Sequence, residues 1–74
     1  MNYDLDTEEG MKNAITWTTR TLALLKDGGT WGIPRSGATL TIIDRAARTY
    51  RWGSADAHDT PTARVLAEMG WKQS

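Results

Sequence analysis

The run Gly28-Gly29-Thr30-Trp31-Gly32-Ile33-Pro34-Arg35-Ser36-Gly37 packs four glycines and a proline into ten residues. Glycine loses the most backbone freedom in regular structure, and proline both fixes φ and removes a donor. The chain is therefore expected to reverse twice here, first leaving a helix and then turning between two strands. Before this run lies one long amphipathic pattern; after it come two short alternating runs and a second, shorter helical pattern.

The first pattern opens at Asp6 or Thr7, either of which can cap free amides with a side-chain oxygen, and Glu8 and Glu9 follow where a helix dipole favours negative charge. Met11, Ala14, Ile15, Thr18, Leu22 and Leu25 form one stripe at helical spacing, the wall expected to face a core. Lys26 suits the negative helix end, and Gly28 can close it, which puts the helix end at Asp27. Trp17 and Leu24 lie off the stripe, stacked along a second flank beside Asn13 and Arg20. Either the second helix or a chain end covers this flank, or it is a contact surface.

Beyond the glycines, Trp31 and Ile33 share one face of a short strand that Pro34 confines to a sheet edge or strand end, and Arg35-Ser36-Gly37 fits a three-residue hairpin loop. Ala38, Leu40 and Ile42 alternate with Thr39 and Thr41, the period of a strand with one apolar face. Asp44 to Arg48 is a polar turn, and Thr49 to Gly53 makes a third strand with Tyr50 and Trp52 on one face and Arg51 on the other. After a loop, Thr60 is the expected cap and Pro61 the first helical residue of a helix whose Val65, Leu66 and Met69 face inward. Arg64 and Glu68 are spaced to pair on its wet face, Gly70 closes it, and Trp71 is placed to touch Leu66. The expected architecture is one α+β domain over residues 1–74: a long N-terminal helix, a three-stranded antiparallel meander and a short C-terminal helix, in the order αβββα.

Length limits what such a fold can do. A chain of 74 residues buries only about 60 to 65% of the surface its unfolded form exposes, so one core is available. With no cysteine, neither disulfides nor thiolate metal sites can reinforce it, which leaves its four tryptophans or self-association. No basic region precedes an apolar run and no apolar stretch approaches the roughly 20 residues that span a bilayer, so a cytoplasmic protein without membrane insertion is expected. The formal net charge is zero but unevenly spread. Asp4, Asp6, Glu8 and Glu9 make the start acidic, while residues 11–52 carry Lys12, Arg20, Lys26, Arg35, Arg45, Arg48 and Arg51 against only Asp27 and Asp44.

Chemistry has few candidates. Asp56, His58 and Asp59 place one imidazole near two carboxylates, a pattern that is more often a solvated turn than a metal or general-base site. Ser36 and Ser54 lack an activating constellation. The glycines around Trp31 follow a helix and precede no Gly-Lys-Ser/Thr, so they do not form a phosphate loop. No enzyme activity, metal or cofactor is expected. Arg35, Arg45, Arg48 and Arg51, interleaved with Trp31, Tyr50 and Trp52, suggest an alternative: a sheet surface that pairs with phosphates while aromatics stack on unpaired bases.

The run from Gly28 to Gly37, preceded by a helix with Trp17 and followed by the Val65-Leu66 to Gly70-Trp71 ending, resembles small bacteriophage accessory proteins. That resemblance implies a protein that binds and blocks a host factor, including CRISPR or other defence machinery, and it carries over no catalytic or ligand residue. The expected function is a non-catalytic protein-binding module of the anti-CRISPR or host-takeover kind. Trp17, Arg20 and Leu24 are the expected partner-binding residues, and the same patch is also suited to a homodimer.

Overall fold

The computed structural model of the chain describes residues 2–34, 36–53 and 59–74. Its elements are α1 (Glu8–Ala23), β1 (Thr30–Gly32), β2 (Thr39–Asp44), β3 (Thr49–Trp52), α2 (Thr60–Glu68) and β4 (Lys72–Gln73). The α+β class holds, but the strand count and order differ from the αβββα meander expected, because a fourth strand follows α2. β1, β2 and β3 pair antiparallel in sequence order, and β4 adds to β3 in parallel, making a mixed four-stranded sheet.

The residues at the start of α1 explain its position. Thr7 is the cap, its hydroxyl accepting from the Gly10 amide at 3.0 Å, and Glu8 and Glu9 occupy the first turn. Thr16, Thr19 and Thr21 are weak helix formers, and each donates its hydroxyl to the carbonyl four residues back. What holds this threonine-rich helix is its buried side, Gly10, Ala14, Thr18 and Leu22, with Met11, Ile15 and Leu25 half-buried beside it. Gly10 extends the stripe because the N-terminal segment crosses there: a Cβ on Gly10 would lie 1.9 Å from the Asp4 carbonyl oxygen.

α1 stops at Ala23 rather than Asp27. Arg45, from the turn between β2 and β3, donates its guanidinium to the carbonyls of Leu22 and Leu25, and its amide donates to Asp27 Oδ1 at 2.9 Å. The free carbonyls of the helix end are thus taken by a cation from a distant turn. Gly28 does adopt a left-handed φ of +83°, yet it serves the turn that brings the chain onto the sheet, where its amide bonds the Ile42 carbonyl at 2.7 Å.

The hairpin loop between β1 and β2 is one residue longer than expected. Ile33 donates to the Ala38 carbonyl, and Gly37, at φ +71°, donates back to the Ile33 carbonyl, so the loop starts at Pro34; Arg35 lies outside the described residues. At the other end of β2, Ile43 is the extra residue of a bulge between Ile42 and Asp44, and Asp44 Oδ1 accepts from the amides of Ala46 and Ala47. Arg48 closes this turn at φ +55°. Its guanidinium holds the Met69 carbonyl at 3.0 Å and its own carbonyl accepts from Lys72, so one strained residue ties the turn to the end of α2 and to β4.

α2 is capped by Asp59 rather than Thr60. The Asp59 carboxylate accepts from the Thr62 amide at 3.0 Å and from the Thr62 hydroxyl, and both residues are buried. Arg64 turns away from Glu68 and reaches Asp6 at 3.3 Å and the Leu5 carbonyl, pinning the N-terminal segment onto α2. At the far end, Gly70 at φ +84° lets the Trp71 amide bond the Leu66 carbonyl and the Gly70 amide bond the Ala67 carbonyl, a Schellman closure that redirects the chain into β4.

Both helices cover the same side of the sheet. Leu22, Ile33, Ala38, Leu40, Ile42, Tyr50, Trp52 and Leu66 form the core, flanked by Leu25, Trp31, Ala63, Met69 and Trp71. Leu40, Ile42 and Leu66 are fully enclosed. Tyr50 and Trp52 meet edge to face at 5.6 Å. Opposite this layer, Thr30, Thr39 and Arg51 stand on a sheet face that no helix covers. No helix among the described residues is long and apolar enough to cross a membrane.

Leu40→Ala or Leu66→Ala should each cost about 2 to 5 kcal/mol in denaturant unfolding, since neither cavity can be filled from solvent. Burial also pushes the Tyr50 phenol above its ordinary value of 10.0, against the lowering effect of hydrogen bonds with Gln73 and Trp52. The protonated phenol therefore stabilises the fold fully below that ordinary value, and the contribution is lost as pH rises through the higher folded value. Alkaline unfolding followed by circular dichroism should show this loss, and Tyr50→Phe should flatten it.

Candidate functional site

A groove of about 390 Å³ lies between α1, α2 and the β1 end of the sheet. α1 contributes Ala14, Trp17 and Thr18; β1 and the residues after it contribute Trp31, Ile33 and Pro34; α2 contributes Pro61, Thr62 and Val65; Tyr3 and Leu5 close one end. Each is there for a local reason. Pro34 starts the hairpin loop and Pro61 the first turn of α2, so neither amide is missed, and the Arg64 to Leu5 and Asp6 contacts hold the N-terminal segment across the top.

Trp17 is the centre of this site. Its ring lies 5.6 Å from that of Trp31 at an angle of 53°, yet Trp17 remains 48% exposed, as does Tyr3. An indole seated on another indole has little rotamer freedom and keeps one face in water, an arrangement suited to receiving an apolar group. Among the described residues, none lining the groove apart from Tyr3 is ionisable, and no group of His, Cys, Asp or Glu is suited to hold a metal ion. The groove can therefore bind by shape and apolar contact, with the hydroxyls of Tyr3, Thr18 and Thr62 and the indole N–H groups of Trp17 and Trp31 as polar side-chain groups of its lining.

The residues singled out from the sequence are distributed unevenly around it. Trp17 lines the groove, whereas Arg20 and Leu24 continue along the same flank of α1 outside it, both exposed, with Leu24 at 85%. α2 does not cover that flank. Tyr3, Leu5 and Pro61 were not foreseen as site residues, and Trp31 was foreseen only as part of the alternative sheet surface; the apolar Tyr3 and Leu5 inside an acidic segment were the available signal.

Of the four arginines of the alternative surface, the three described ones do not gather. Arg45 and Arg48 spend their guanidinium groups on backbone carbonyls at the ends of α1 and α2. Arg51 stands on the uncovered sheet face opposite Thr41, and Arg35 lies outside the described residues, as do Ser54, Asp56 and His58. The aromatic rings of Trp31, Tyr50 and Trp52 are on the other, helix-covered side.

Arg45→Ala should cost about 1 to 3 kcal/mol of stability by releasing the α1 carbonyls, and Arg51→Ala should stay within about 0.5 kcal/mol; paired thermal melts measure both. Comparison with known proteins finds no family model, no curated protein and no solved structure that the chain matches.

Proposed function

We propose that the chain is a non-catalytic module that binds another protein through the Trp17 groove, and that its target is a host factor or defence complex blocked by a small phage protein. One observation supports the binding reading above the others: Trp17 is held against Trp31 at the rim of an apolar groove while half its surface stays in water. Tryptophan and arginine dominate binding hot spots because they combine large apolar area with a directed polar group, and Arg20 stands one turn further along α1 with Leu24 beyond it. The groove accepts one large apolar side chain, and the exposed flank beside it extends the contact. The phage assignment rests on the sequence resemblance.

The test is quantitative capture from bacterial lysate with wild-type chain and Trp17→Ala, followed by titration of whatever protein is retained. The substitution should leave unfolding cooperative and weaken the complex by at least about 2 kcal/mol. Retention of the same proteins with equal affinity by both chains excludes Trp17 as the anchor.

A further inference from the structure

β1 is the outer strand of the sheet, and its free edge has a self-complementary pattern. The ladder to β2 runs through Gly29, whose carbonyl accepts from Ile42 at 2.9 Å, and Ile33, whose amide donates to Ala38 at 2.8 Å, with Trp31 opposite Leu40 between them. Backbone groups alternate sides along a strand, so the amides and carbonyls of Thr30 and Gly32 point away from β2. Both residues are exposed, and a Cβ on Gly32 would meet nothing within 4 Å.

We propose that this edge pairs with the same edge of a second copy, antiparallel, about a two-fold axis passing at Trp31. In that register Thr30 of each copy faces Gly32 of the other, and each such pair exchanges two hydrogen bonds, so every outward group of β1 is satisfied. A register moved by one residue toward Gly28 brings in an amide already given to Ile42, which leaves the Trp31-centred arrangement as the one that uses the whole edge. It also sets the two Trp31 residues opposite each other as a non-bonded pair, about 4.5 Å apart at Cα, on the face where each ring already meets Trp17.

Charge agrees with this geometry. The segment leading into α1 shares the groove, through Tyr3 and Leu5, with Pro34 just past the end of β1, and α1 finishes beside the Arg45 turn, near where the chain enters β1. The two-fold axis therefore brings the exposed Asp4, Glu8 and Glu9 end of one copy alongside the exposed Arg20 and Lys26 end of the other. Opposite ends attract, and no charged residue of β1 itself opposes the pairing. This association needs no outside partner, so it stands or falls separately from the proposed host target.

Light scattering across a concentration series should show the mass of the wild-type chain doubling, with added salt shifting the transition to higher concentration. Amide exchange at Thr30 and Gly32 should slow as the dimer fills, and a mixture of isotope-labelled and unlabelled chains should give a Trp31 Hα to Trp31 Hα contact between copies. Gly32→Pro and Thr30→Pro each remove an outward donor without touching the ladder to β2, and each should remain monomeric with an unchanged circular dichroism spectrum. A wild-type chain that stays monomeric at the concentrations used for magnetic resonance overturns the proposal. So does a dimer in which Thr30 and Gly32 exchange as fast as in the monomer, a reading that holds even if the proline variants fail to fold.

Discussion

Everything in this molecule depends on covering one face of a small sheet. Leu40 and Ile42 on β2 and Tyr50 and Trp52 on β3 point to the same side, and Leu22 of α1 and Leu66 of α2 come down on them. A chain of this length has no second layer to spend on the opposite face, so that face is built from threonines and Arg51, side chains that tolerate both a pleated backbone and water. The two helices are then held in place chiefly by their ends. Arg45 takes the carbonyls at the foot of α1, Arg48 takes the Met69 carbonyl at the foot of α2, and Arg64 ties Leu5 and Asp6 over the top.

This division of labour bears on how basic residues are read in small domains. An arginine in a turn between strands has two competing uses, an outside anion or an inside carbonyl, and helix termini offer the second at short range with the dipole in its favour. In this chain Arg45 and Arg48 both take the inside use. The positive charge on the middle of the sequence is thereby partly committed to the fold, while Arg20 in the last turn of α1 and Lys26 just beyond the helix stay exposed. In the apolar groove, Trp17, Trp31 and Tyr3 concentrate aromatic surface that the core does not enclose.

Local chemistry made much of the fold legible in advance. Thr7 followed by Glu8 and Glu9 marks a helix start whatever lies elsewhere, the alternation from Ala38 to Ile42 marks a strand with one dry face, and Gly37 and Gly70 adopt the positive φ that their turns require. Those features depend on side chains within a few residues of one another. β4 was not legible because Lys72 and Gln73 carry no alternating pattern: they become a strand only because the Schellman closure at Gly70 delivers their backbone to the Arg48 carbonyl and alongside Thr49 and Tyr50 of β3.

The sequence by itself determined the α+β class, the helix starts to within a residue, the turns at Gly37 and Gly70 and which side of β1, β2 and β3 is apolar, because propensity, capping and periodicity act over one or two turns of chain. Tertiary structure alone decided where α1 ends, since the Arg45 guanidinium comes from more than twenty residues away. It also decided that Trp17 belongs with Trp31 and Tyr3 rather than with Leu24. The reason is the same in both cases: a side chain's partner across the sheet or between helices is set by how the elements pack, and packing is written in no local stretch of residues.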